Sequence, residues 1–113
     1  MDNDKALRTH VAKLLDWADA HAGYDAAVSG IEPRFRGVVP EGWDYSAWQL
    51  IEHIRMAQED ILEFCVASSY REKNWPDDYW PKSPAPPSDD AWDASVKAYH
   101  RDVEALKELA TSP

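Results

Sequence analysis

The sequence has a single cysteine, Cys65, in 113 residues. A lone thiol cannot close an internal disulfide, and its use suits a reducing cytoplasm. The N-terminal Met1-Asp-Asn-Asp4 is acidic and has no basic-then-apolar leader pattern, which also points to a cytoplasmic location. No stretch approaches the ~20 apolar residues that a membrane-spanning helix needs. Positive charge is scarce: 12 Lys and Arg stand against 21 Asp and Glu, a net charge of −9. Such a surface repels phosphate backbones and anionic lipid, so neither nucleic acid nor membrane is an expected partner.

The motifs that announce common chemistries are missing as well. There is no His-x-x-x-His or His-Glu-x-x-His pair, no Gly-rich phosphate loop and no Gly-x-Ser-x-Gly turn. One cysteine excludes a zinc finger. No strand-like alternation and no internal repeat is present. Any site must therefore be assembled across helices.

What the chain does have is a globular composition, 44% hydrophobic, with six tryptophans that give large buried area at few positions. Its length fits one domain, residues 1–113. The pattern predicts an all-α, up-down helical bundle. The first helix is expected over about 4–29, with an apolar stripe of Leu7, Val11, Leu14, Leu15, Ala18 and Ala22 and a stop at Gly30 and Pro33. A loop follows from Ile31 to Tyr45, punctuated by Pro33, Gly37, Pro40 and Gly42.

Ser46-Ala-Trp-Gln49 has the capping-box pattern and opens a second helix over about 46–69. Its stripe is Leu50, Ile54, Ala57, Ile61, Phe64 and Cys65. Between Arg71 and Ser88 five prolines exclude a regular helix. This connection is long enough to cross the bundle and make the flanking helices parallel. Its Trp75, Tyr79 and Trp80 are read as packing the loop down, or as walls of a pocket. A Pro-rich segment for a partner domain is the weaker alternative. The third helix is expected over about 89–110, capped by Ser88, with a stripe of Trp92, Val96, Tyr99, Val103, Leu106 and Ala110.

Four histidines are available: His10, His21, His53 and His100. On a helical wheel His21 lies close to Leu14, and His53 sits at the edge of its apolar face beside Ala57 and Phe64. In an antiparallel hairpin the two would lie within roughly one turn of each other at about 1.5 Å per residue. Facing imidazoles are a start for a divalent-metal site. The plainer alternative is a hydrogen-bonded boundary histidine. His10 and His100 are expected at the surface or boundary. Glu52 and Glu59 read as solvated, Asp60 as a helix-edge acid that is solvated unless it reaches a ligating imidazole, and Cys65 as a buried, inert side chain.

The stretch from Arg36 to Phe64, with Leu50-Ile-Glu-His-Ile54 at its centre, resembles the second-helix signature of DinB-like proteins. Trp75-Pro-Asp-Asp-Tyr-Trp-Pro81 and Trp92-Asp-Ala-Ser-Val96 are similar to a bacterial subgroup of that superfamily with unassigned substrate. The resemblance covers nearly all of the chain. It implies a four-helix metalloprotein with a long crossover between helices two and three, in a group that includes bacillithiol transferases and mycothiol-dependent maleylpyruvate isomerases.

The resemblance further implies a nickel or zinc ion held by three histidines. His53 stands at the helix-two ligand position, and His21 lies on the helix that lines the pocket. The other two ligands come from a His-x-x-x-His pair on helix four. Here the sequence reaches Pro113 directly after helix three, so the metal is expected to be absent or weakly bound in this form. The reading favours a C-terminally incomplete domain whose uncovered apolar groove drives self-association into a homo-oligomer.

Two functions follow. In complete form the protein would be a metal-dependent thiol transferase or hydrolase acting on a small-molecule or thiol substrate, with Trp48, Tyr79 and Trp80 walling the pocket. Alternatively, it is a non-catalytic binding or self-association module with an apolar groove.

Overall fold

The computed structural model describes residues 2–15 and 23–112. They form an all-α bundle with no strand among the described residues. Its helices are α1 (Asp2–Leu15), α2 (Tyr24–Ser29), α3 (Ala47–Val66) and α4 (Asp89–Thr111), with short 3-10 turns at Pro33–Phe35 and Asp77–Tyr79.

The first departure from expectation is at Gly23. The run over 4–29 is not one helix: Gly23 has extended backbone, φ −73° and ψ 172°, and stands as the N-cap of α2. Glycine loses the most backbone freedom in a helix and offers no side chain in return, so a break falls there naturally. The other two long helices start where their caps place them. Ser46 Oγ accepts from the Gln49 amide while Gln49 Oε1 accepts from the Ser46 amide, a complete capping box. Ser88 Oγ accepts from the Ala91 amide at 3.1 Å, with Asp89 and Asp90 in the first turn.

Side-chain pairings fix the directions of the helices. Trp48 lies against Trp92, Glu52 accepts from Ser95, and Gln58 donates to the Tyr99 carbonyl. Numbers rise together on both helices, so α3 and α4 are parallel, as the long crossover allows. The N-terminal part runs the other way along α4. Arg8 donates to the Ser112 carbonyl, His100 pairs with Asp25, and Val28 joins the cluster around Trp92.

The core is a compact group of Val28, Trp48, Ile51 and Trp92, flanked by Tyr24, Ile31, Ala47, Ala91 and Val96. It sits where α3 and α4 begin. The loop after α2 closes over it, with the Trp48 amide donating to the Arg36 carbonyl and the Arg36 guanidinium 4.4 Å over the Trp92 ring. Gly37 allows this loop to meet the crossover, because a Cβ there would lie 2.7 Å from the Ala85 Cβ.

Burial follows the predicted stripe on α4, where Trp92 and Val103 are buried and Val96 packs on the core, but not those on α1 and α3. Leu50, Ile54, Ile61 and Phe64 on α3 are exposed, as are Leu7, Val11 and Leu14 on α1. Cys65 is exposed rather than buried. Helix α4 packs against both α1 and α3, which leaves apolar side chains of the two outer helices uncovered. No helix among the described residues is long and apolar enough to cross a membrane.

Candidate ligand-binding cleft and the His53 ring stack

The crossover doubles back along α3 and is tied to it by backbone carbonyls. His53 Nδ1 donates to the Tyr79 carbonyl at 2.8 Å, Gln49 Nε2 reaches the Pro81 carbonyl at 3.5 Å, and Ser46 Oγ donates to the Pro84 carbonyl. Positions descend on α3 as they ascend on the crossover, so the strap runs antiparallel to the helix. A local turn shapes its far end: the Asp78 carboxylate accepts from the Asn74 amide at 2.7 Å, and the Asp78 amide returns a bond to the Asn74 carbonyl.

A carbonyl can only accept, so this bond assigns the proton of neutral His53 to Nδ1 and leaves Nε2 as the acceptor nitrogen. The ring is half-buried in an aromatic stack. Trp80 lies parallel to it, with centroids 3.9 Å apart and planes 8° apart, and Trp80 stacks in turn on Tyr45 at 4.0 Å. Trp75 leans on His53 at 5.7 Å.

Two turns along α3 the strap opens into a cleft of 620 Å³. Its walls are Ile61, Phe64, Tyr70, Trp75 and Tyr79, and its charged groups are Asp60, Glu72 and Lys73. Asp60 is the centre. The Tyr79 hydroxyl donates to Oδ2 at 2.6 Å and the Tyr70 hydroxyl to Oδ1 at 2.7 Å. The bond from Tyr79 is the main reason that the Asp60 carboxyl lies below its usual range, with further lowering from Tyr70 and the Lys73 charge and opposition from burial. The same carboxylate pushes both phenols up, Tyr79 strongly. Near neutral pH the centre of the cleft is therefore the Asp60 anion with two neutral hydroxyls on it.

The lowered carboxyl makes folding depend on pH. Ionised Asp60 stabilises the fold above the unfolded carboxylate range, about pH 4, and the contribution disappears as pH falls through the lower folded value.

No family model, curated protein or solved structure matches this chain.

The sequence-predicted site residues end up in different places. Tyr79 lines the cleft. Trp80 is part of the stack behind it. Trp48 is in the core, 5% exposed and against Trp92, and is not among the lining residues. His53 adjoins the cleft through Trp75 and Tyr79. His21 lies outside the described residues. Among those described, no three or more His, Cys, Asp or Glu side chains are grouped to hold a metal ion. Beside the cleft His53 is one imidazole, which is not by itself the ligand set of a nickel or zinc site.

Asp60 is a larger participant than its helix-edge position suggested. The signal was its spacing of two turns from His53, but its donors Tyr70 and Tyr79 arrive from the crossover, which periodicity does not place. Glu52 also differs from expectation. Its side chain is 12% exposed rather than solvated, and it accepts from Arg55 on its own helix and from buried Ser95 at 3.4 Å on α4. Arg55 extends the network to Glu59 at 2.9 Å. Above it, Tyr24 stacks on Tyr99 at 3.7 Å, and burial pushes its phenol up to about 12, with Tyr99, Asp25 and Glu52 adding to the effect. His100 caps this group, paired with Asp25 at 2.6 Å, while His10 is exposed.

Proposed function

We propose that this chain is a small-molecule binding module whose working site is the cleft between the end of α3 and the crossover. The observation that carries the reading is the Asp60 carboxylate, held by two tyrosine hydroxyls among aromatic walls in an open 620 Å³ space. A few fixed polar groups in an apolar concavity are what orient a small ligand. Trp75 is 69% exposed and Phe64 is 66% exposed, so both have ring surface free to cover one.

The test is a titration with 2-phenylethylamine, phenylacetate and 2-phenylethanol, which share a body and differ in charge. The readout is the Trp75 indole N–H resonance, assigned by its loss in Trp75→Phe. At least one of the three should move it saturably at millimolar concentration or below. A Trp75 resonance that no small cation, anion or alcohol moves would overturn the reading.

One observation favours a second reading, the DinB-like metal-dependent transferase or hydrolase. Metal-binding histidines commonly donate their other ring N–H to a carbonyl, and His53 does this with Tyr79. In this reading Nε2 of His53 would be one ligand of a divalent nickel or zinc ion, and the remaining ligands would come from outside the described residues. Metal content after zinc or nickel loading and exhaustive dialysis tests it. The expected result is retained metal that falls by at least half in His53→Ala. Equal content in the two proteins would exclude His53 as a ligand.

A further inference from the structure

The charge around the cleft narrows the ligand further, on the premise that the cleft is the binding site. Asp60 sits with its two oxygens fixed by phenols, and a carboxylate has roughly four acceptor positions, so about half remain open to a donor or a positive charge. Glu72 adds a second carboxylate to the lining. The aromatic faces of Phe64, Trp75 and Tyr79 attract positive charge through their quadrupoles. A neutral apolar ligand would cover an ionised carboxylate without compensating it, which is unfavourable. An anion would meet Asp60 and Glu72 on a chain of net charge −9.

The protein also places a cation of its own here. The Lys73 ammonium lies 6.0 Å from the Tyr79 ring centroid, at the outer edge of a useful cation–π contact. A lysine at that distance marks where positive charge is favoured without filling the cleft.

We propose that the cleft takes an organic ammonium ion, with its positive centre beside Asp60 and its methyl or methylene groups against Trp75, Tyr79 and Phe64. Lys73 acts as a weak internal competitor for the same position.

The experiment compares choline with 3,3-dimethylbutan-1-ol, which has the same shape with a carbon in place of the nitrogen. Both are titrated against the Trp75 indole resonance of the full chain. Choline should bind at least about tenfold more tightly, the size of a partly desolvated cation–π and ion-pair preference. Asp60→Asn keeps an acceptor for one phenol, turns the other into an acceptor of its amide N–H, and should abolish that preference. Lys73→Met removes the internal competitor and should tighten choline binding a few-fold.

Equal binding of choline and the alcohol would overturn the ammonium assignment and leave the cleft reading standing. So would weaker choline binding in Lys73→Met, which would mark the lysine as part of an anion or zwitterion site. If choline and the three phenyl compounds all leave Trp75 unmoved, the cleft reading falls too. Should Asp60→Asn lose its native circular dichroism, Lys73→Met and the choline-to-alcohol ratio still decide the outcome.

Discussion

Trp92→Ala is expected to lower the unfolding free energy by about 3–5 kcal/mol, the usual cost of removing a large aromatic from a packed core. Trp92 is 2% exposed and is the largest fully buried side chain among the described residues. It touches the core from both sides. Trp48 lies at 6.4 Å between ring centroids, and the Arg36 guanidinium covers the ring at 4.4 Å. Truncation would open a cavity beneath Trp48, Ile51 and Val28 at the one place where α2, α3 and α4 meet. It would also remove the face on which Arg36 rests. The Nε of that arginine is buried and has no hydrogen-bond partner among the described residues, so the ring and an ion pair with Asp89 at 3.8 Å are what compensate its charge. Small domains are stable by only about 5–15 kcal/mol, so a loss of this size would move the urea midpoint far toward zero. Trp43→Ala is the matched control. Trp43 is 68% exposed, and its removal should change stability by no more than about 0.5 kcal/mol. Equal midpoints for the two variants would show that the core is not centred on Trp92.

The features legible in the sequence are the local ones. Ser46 with Gln49, and Ser88 with its following acids, set two helix starts because a cap needs only residues within one turn. The five-proline crossover predicted parallel flanking helices through its length alone. The apolar stripes were equally legible, but a stripe shows which face can be buried and not whether anything covers it. Leu50 and Ile54 are on the predicted face of α3 and exposed, while Ile51 and Trp48 are the residues in the core. The chain turns the 48/51 side of α3 toward α4 because that side meets Trp92 and Ser95.

The site divides in the same way. His53 was legible as a special residue, but its partners were not. The Tyr79 carbonyl and the Trp80 ring come from 26 and 27 positions later, on a segment without periodicity. Tyr70 and Tyr79 converge on Asp60 for the same non-local reason. The crossover is therefore more than a connection. It supplies most of the aromatic wall of the cleft and holds the proton position of His53.

That role makes its attachment to α3 measurable, and Ser46→Ala is expected to cost about 1.5–2.5 kcal/mol. Two separate losses add. The Ser46 hydroxyl accepts from the Gln49 amide at 3.2 Å, and removing such a cap costs about 1 kcal/mol. The same hydroxyl donates to the Pro84 carbonyl, and losing such a bond costs a further ~0.5–1.5 kcal/mol, since Pro84 is exposed and water can take up its carbonyl. Ser88→Ala separates the two contributions. Ser88 caps α4 through the Ala91 amide but is exposed and makes no second bond among the described residues, so its loss should cost only about 1 kcal/mol. The extra cost at Ser46 is then a measure of the strap. If it arises there, Ser46→Ala should also raise hydrogen exchange at crossover amides such as that of Tyr79, whereas Ser88→Ala should leave them protected. Equal costs for the two serines, with unchanged exchange along residues 77–85, would show that the crossover is held to α3 by the His53 and Gln49 bonds without help from Ser46.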